Sequence, residues 1–229
     1  MVGTLLWILL AGAAELGPTE DLDVLADGLE IASQRDTGAA RCSDQSLTDG
    51  EQLPDLPLFF TRVNPGTEWG SNTMISAIVS AARHMRSLLP EASPITVGDI
   101  SREHGGALSG HVSHRGGIDA DIGIYSRGGK QNRRGFDAPG PDFDVAANWS
   151  LIAALLETGN VDFILLDRTH IARLREYTLF GGLLTEEEVE EVFPTGARLW
   201  DRTGIVRHAR HHDNHLHLRV LCADGSKAQ

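Results

Sequence analysis

His215-Leu216-His217-Leu218-Arg219-Val220 alternates polar and apolar residues without a break. Side chains along a strand have a period of two, so Leu216, Leu218 and Val220 fall on one face and His215, His217 and Arg219 on the other. The stretch is predicted to be a half-buried strand whose polar face presents two imidazoles side by side. Ile118-Asp119-Ala120-Asp121-Ile122-Gly123-Ile124-Tyr125 repeats the rhythm, with Ile118, Ala120, Ile122 and Ile124 on one face. Asp119, Asp121, Gly123 and Tyr125 take the other. Residues 101–117, rich in glycine and histidine, precede it and read as a loop. Gly116-Gly117 offers a turn that brings His114 back over the strand carrying Asp121.

Around these two strands the chain mixes helices and strands at irregular spacing. Apolar residues from Met74 to Leu89 recur at helical period, predicting a helix over 72–89 that stops at Pro90. Ile95 to Ile100 reads as a strand, and 126–142 as a basic loop rich in glycine and proline. Asp144 is placed to cap a helix over 145–158 closed by Gly159. Val161 to Leu166 reads as a strand and Ile171 to Leu179 as a helix. Thr185 with Glu188 fits a capping box. Ile205 to Arg207 and His215 to Cys222 are the last strands. The pattern favours an α+β fold, a mainly antiparallel sheet flanked by helices, over a regular doubly wound one.

The chain has 229 residues, of which 41% are hydrophobic and 23% charged. That is enough for one domain with a proper core. The formal net charge of −12 argues against a nucleic-acid partner. Against that balance, Arg202, Arg207, Arg210 and Arg219 form a local basic patch among histidines. It suits an anionic substrate group or, more blandly, a solvated face. Val2 to Ala14 is apolar, too short to span a bilayer, and ends in the small residues Ala11-Gly12-Ala13-Ala14. It reads as a secretory signal over 1–14, although no Lys or Arg precedes it; a misplaced start or a buried N-terminal segment is the alternative. Residues 15–57 are expected to be a mostly irregular entry segment, 58–222 the functional domain and 223–229 a tail. The two cysteines, Cys42 and Cys222, form no CxxC motif. They either pair, if the chain is exported, or stay buried thiols.

Two imidazoles and a carboxylate that converge, with a spare imidazole beside them, are the inventory of a zinc hydrolase with one open coordination position. Ten histidines and an alternating apolar face beneath the terminal pair support that reading. The alternative is a histidine-rich surface that takes up metal adventitiously. No Ser-x-x-Lys motif offers an activated serine.

At these residues the sequence resembles the penicillin-insensitive murein endopeptidases. They belong to a wider group of lysostaphin-type peptidases, D-Ala-D-Ala dipeptidases and hedgehog signalling domains. The group's signature is His, six residues, Asp, then a later His-x-His, here His114, Asp121 and His215 with His217. Val97-Gly98-Asp99-Ile100, Gly105-Gly106, Gly110 to His114, Asn148-Trp149, Val161 to Leu165 and Val206 to Cys222 extend the likeness over about residues 58–222. The resemblance implies a hedgehog/D,D-peptidase-like α+β fold and one Zn2+ held by His114, Asp121 and His217. His111 would lie close enough to act as a further ligand in a resting site, and His215 would be the general base or would steady the transition state. His212 and Asp213 would line the site and orient the histidines. It also implies a periplasmic location, cleavage of D-alanyl–diaminopimelate peptidoglycan cross-links, no stable membrane insertion, and leaves room for a homodimer. Two departures stand out. Gly123 replaces an aromatic often seen there, which would widen the pocket. Asp142, Asp144 and Asn148 come without a histidine, so no second zinc is expected. The competing functions are a D,D-carboxypeptidase or dipeptidase on free stem peptides, a non-catalytic zinc-containing cell-wall-binding protein, and a zinc buffer or sensor.

Overall fold

A computed structural model describes residues 42–131, 142–195 and 203–228. The expected signal over 1–14, the entry segment as far as residue 41, the centre of the basic loop and Arg202 lie outside the described residues. The elements run β1 (Glu51–Gln52), β2 (Phe60–Arg62), β3 (Trp69–Gly70), α1 (Asn72–Leu88), β4 (Ile95–Val97), β5 (Asp119–Gly123), α2 (Val145–Glu157), β6 (Val161–Leu166), α3 (Arg168–Phe180), α4 (Glu186–Val192), β7 (Val206–His208) and β8 (His215–Val220). Six strands form one sheet in the order β2-β4-β5-β8-β6-β7, while β1 and β3 make a separate ribbon.

The fold is α+β, as expected, but the sheet is more mixed than the sequence suggests. The central pairs β4–β5, β5–β8 and β8–β6 are antiparallel. Both outer pairs, β2–β4 and β6–β7, are parallel. Each outer pair is joined through a helical excursion (α1 for one, α3 and α4 for the other), and parallel neighbours require such a crossover.

Polar caps start the helices where the pattern places them. Ser71 accepts from the Met74 amide, Asp144 from Ala147 and Asp167 from Thr169. Thr185 and Glu188 close a reciprocal capping box on α4. Helix α1 buries Met74, Ile78, Ala82 and Met85, a 3–4 residue stripe. The stripe joins Leu151, Ile152 and Leu155 of α2 and Ala120, Ile122, Leu216, Leu218 and Val220 of the central strands in one apolar core. That core occupies one face of the sheet's centre, so the polar residues of β5 and β8 are turned to the opposite face. β5 is nevertheless buried on both faces, Asp119 and Asp121 included.

Cys42 and Cys222 are joined across 180 residues. The bond anchors the 42–47 segment against the glycine-rich loop. Ser46 bridges to Gly105, and Arg115 donates to the Gln45 side chain at 3.1 Å. A Cβ on Gly116 would lie 1.9 Å from the Ser43 carbonyl oxygen, so only glycine permits this approach. Replacing both cysteines by serine is expected to lower stability by ~2–5 kcal/mol. Urea unfolding of the oxidised parent and the double variant measures it, and coincident midpoints would contradict it.

Candidate metal centre

The register of β5 against β8 sets Asp121 opposite His217, Asp119 opposite Arg219 and Gly123 opposite His215. Partners in register share a face, so the acids and imidazoles of both strands meet over the centre of the sheet. His114 reaches the same point from the loop with φ +48, a left-handed conformation uncommon for a residue with a Cβ. It is held there by burial and by its Nδ1–H, which donates to the Ile100 carbonyl at 3.1 Å.

Three atoms converge. His114 Nε2 lies 3.2 Å from His217 Nδ1 and 3.2 Å from Asp121 Oδ1, and His217 Nδ1 lies 3.1 Å from the same oxygen. Ligands ~2.0–2.1 Å from a tetrahedral zinc stand roughly 3.3 Å apart, so the triangle has the edge length of such a site. His111, His114 and Asp121 also form a group whose ligand atoms lie within 4.8 Å of one another. His111 Nδ1 faces Asp121 Oδ2 at 3.7 Å.

The outer nitrogen of each ring decides what these atoms can be. His217 Nε2–H donates to Asp119 Oδ1 at 2.8 Å. Asp119 also takes two 2.8 Å hydrogen bonds from Arg219. His111 Nε2–H donates to Asp99 Oδ2 at 3.0 Å, and Asp99 Oδ1 accepts from Thr67 and Asn64. A carboxylate or a carbonyl oxygen can only accept, so each outer nitrogen carries a hydrogen and the inner nitrogen is the one that can offer a lone pair to a metal. Two imidazole lone pairs and a carboxylate oxygen at these separations repel unless a cation or a proton lies between them. Imidazoles oriented by outer carboxylates and a carbonyl are the usual support of a metal site. The donor set therefore fits a divalent ion of the zinc type.

Protonation follows from the same contacts. Burial pushes the Asp121 and Asp119 carboxyls up, but hydrogen bonds and positive charge overcome it. His114 and His217 act on Asp121, and His217 and Arg219 on Asp119, so both carboxyls end below the usual carboxylate range. Burial alone would lower His217, yet Asp119 and Asp121 raise it to about 9. His215 goes the other way, pressed down to about 4 by burial against only a partial pull from Asp121. It is a neutral imidazole at neutral pH. Its Nδ1 hydrogen bonds Asn214 Oδ1 at 2.6 Å, and its Nε2 lies 3.6 Å from Asp121 Oδ1.

His212 lies tilted against His215, with ring centroids 4.8 Å apart, and bonds the Arg210 carbonyl through Nδ1. Burial lowers its pKa. Asp213 differs from its expected place. It is exposed and absent from the cleft lining, and its backbone oxygen, not its carboxylate, is engaged, by His170 at 2.9 Å. The side chain beside it that does orient a histidine is Asn214, which meets His215. Gly123 does not widen the pocket either. A Cβ there would meet Gln131 and Thr96 within 2.9 Å, and Gly123 lies outside the cleft. Asp144 and Asn148 are structural, one capping α2 and the other hydrogen-bonded to both backbone groups of Tyr125.

Asp119, Asp99 and Asn214 are the supporting residues that sequence reasoning missed. The alternation does place Asp119 on the face of Asp121. Nothing local shows that Asp99 meets His111 or that Arg219 pairs with Asp119.

The centre lies in an open cleft of about 1400 Å3 lined by His111, His114, Asp121, His212, His215 and His217 among others. An open cleft beside a metal-suited triangle with a neutral imidazole at its edge has the form of a hydrolytic site. Residues 42–139 match the family model described as penicillin-insensitive murein endopeptidase. The match supports the family resemblance over that stretch, which is less than half of the chain. It spans His111, His114, Asp119 and Asp121 and stops short of His212, His215 and His217. A search of curated proteins finds no match to this chain.

Because His217 holds its proton up to about 9, metal entering the triangle must displace that proton. Apparent affinity is expected to rise about tenfold per pH unit below that value and to level off above it. Calorimetric titration in buffers of different ionisation enthalpy reads the released proton; a flat profile between pH 6 and 8 would contradict it. The raised pKa also stabilises the metal-free protein, fully below the unfolded value near 6.5, progressively less as pH rises from there to about 9, and not above it. Asp119→Asn is expected to weaken metal binding by ~10–100-fold. Competition against a chelating dye measures this.

Proposed function

We propose that the protein is a zinc-dependent murein endopeptidase that hydrolyses D-alanyl–diaminopimelate cross-links in peptidoglycan. The observation that carries the reading is the triangle of His114 Nε2, His217 Nδ1 and Asp121 Oδ1, each atom 3.1–3.2 Å from the others. The family match, which extends over the loop and strand that bear two of these residues, supports it.

In this reading His114, Asp121 and His217 hold the ion, and His111 is a fourth donor that substrate can replace. A zinc ion held there supplies Lewis-acid polarisation of the scissile carbonyl and ionises water near neutral pH. The remaining work falls to the chain. His215 Nε2 takes the proton of the attacking water and returns it to the departing amine nitrogen. Burial of the ring suits both proton transfers. The imidazole starts neutral, and the imidazolium, being costly to bury, gives its proton up readily. Asn214 fixes which nitrogen does this by accepting from Nδ1. His212 covers one side of the ring. No acyl-enzyme is needed, so a β-lactam, which inhibits by acylating a nucleophilic serine, finds no such serine in this mechanism.

The substrate lies outside the cytoplasm, and the Cys42–Cys222 disulfide supports an oxidising compartment such as the periplasm. Among the described residues no helix is long and apolar enough to cross a membrane.

Digestion of purified cross-linked peptidoglycan, with product masses recorded, is expected to release uncross-linked stems and to stop on chelation. Separate incubation with dimers and monomeric stems distinguishes this from carboxypeptidase trimming. His215→Ala is expected to retain zinc and lose ~10²–10⁴-fold in turnover; a parent-like rate would remove the role given to His215. His114→Ala is expected to lose both metal and turnover, and parent-like zinc content by elemental analysis would contradict that assignment.

A further inference from the structure

The loop that carries His212 and Asn214 into the site is fastened to the start of α3. Ala209 donates to the Leu166 carbonyl at 3.1 Å, and the Asp167 amide donates to the His212 carbonyl at 2.8 Å. A side chain makes the third contact. His170, in the first turn of α3, donates from Nε2 to the Asp213 carbonyl at 2.9 Å. That carbonyl and the Asn214 N–H belong to one planar peptide, so its direction governs how Asn214 leaves the loop. Asn214 Oδ1 then accepts from His215 Nδ1 at 2.6 Å. His170 is absent from the cleft lining, yet it stands behind the residue that orients His215.

The His170 ring is buried and its plane is fixed. Phe143 stacks on it with centroids 4.1 Å apart and planes 13° from parallel, and the Arg173 guanidinium lies 5.6 Å from the Phe143 centroid. Burial lowers the pKa of the ring against the Asp213 hydrogen bond and the Asp167 charge, so the ring is neutral at neutral pH. A carbonyl oxygen can only accept, so the hydrogen of the neutral ring is on Nε2 and Nδ1 keeps a lone pair. Nδ1 is buried and has no hydrogen-bond partner among the described residues. A buried acceptor left unpaired costs stability. Phenylalanine or leucine would fill the space without that cost. What the imidazole adds is one donor with a fixed aim, and it is aimed at the loop.

We propose that His170 is a positioning residue that holds the Asp213–Asn214 peptide so that Asn214 keeps the hydrogen of His215 on Nδ1. Nε2 of His215 is then the nitrogen that takes the proton of the attacking water. The role rests on the reading of His215 as the base of a murein endopeptidase. His170 acts through the loop peptide and Asn214.

H170F keeps a ring on Phe143 and removes the donor. H170Q replaces the ring N–H by an amide N–H of similar reach. Nitrogen NMR spectra of the histidine rings are recorded on zinc-loaded protein without substrate, and kcat and KM are measured on a synthetic cross-linked dimer. The parent is expected to show His215 as a single Nδ1–H tautomer. H170F is expected to mix in the Nε2–H tautomer and to lower kcat by about ten- to a hundredfold, with KM and zinc content unchanged. H170Q should restore most of both. In the His215→Ala background H170F should cost nothing further, because the residue it acts through is gone. F143L keeps the donor but loosens its aim, and should give the same signature to a smaller degree. Either a parent-like His215 tautomer or a parent-like kcat in H170F overturns the proposal, as does an equal loss of kcat when His215 is already alanine. If H170F does not fold, a parent-like tautomer and kcat in F143L overturn it instead. A changed tautomer in H170F without hydrolysis by the parent would support the positioning and remove the endopeptidase reading. Hydrolysis by the parent with no effect of H170F would do the reverse.

Discussion

Three electron-rich atoms aimed at one point are the constraint around which the rest of the structure is arranged. His114 Nε2, His217 Nδ1 and Asp121 Oδ1 approach within 3.2 Å of one another. Such a cluster disperses unless the scaffold holds it and a positive charge compensates it. The scaffold's share is visible in the hydrogen bonds behind each ring. Ile100 and Asp119 fix the tautomers of His114 and His217, and Asp99 does the same for His111. Asp119 can serve as an acceptor at zero exposure only because Arg219 neutralises it through two hydrogen bonds.

The position of the site within the sheet follows from this need for rigidity. Asp121 and His217 are paired across β5 and β8, the two strands with hydrogen-bonded neighbours on both sides at the sheet's centre. Both strands are hydrogen-bonded on each side, and the buried apolar alternates Ala120, Ile122, Leu216 and Leu218 pack them from below. His111, His114, His212 and Asn214 come from loops, which tolerate the unusual φ of His114 and leave the cleft open. The disulfide and the 42–47 segment brace the loop that carries His114, so the less regular half of the site is tied to both ends of the described chain.

Much of this was legible in the sequence because it is carried by short-range patterns. Alternation in 118–125 and 215–220 gave the faces of β5 and β8, and with them the company of Asp121, His215 and His217. Capping chemistry at Asp144 and at Thr185 with Glu188 located two helix starts. What was not legible depends on pairing between distant segments. The parallel outer pairs need the crossovers to be known. The Asp99–His111 contact joins a strand's end to a loop 12 residues on, and no periodicity reports it. Asp213 took its expected role from the family resemblance alone; in the fold it is exposed, and the Asn214 amide oxygen meets His215 instead.

His215 and His217 show how far two residues of one type, two positions apart on one strand face, can diverge. His217 sits between Asp119 and Asp121 and is raised to about 9, while His215 meets an amide oxygen and the more distant Asp121 and falls to about 4. The difference arises from register. Opposite His217 and Arg219 stand aspartates, but opposite His215 stands Gly123, which brings no charge. A carboxylate at that position would raise His215 and hold it protonated, unable to accept a proton at neutral pH. Adding one would also collide with Gln131 and Thr96, which already fill the space over Gly123. Burial is what keeps the His215 ring neutral, and the glycine that looked in the sequence like a widened pocket adds no charge to oppose it.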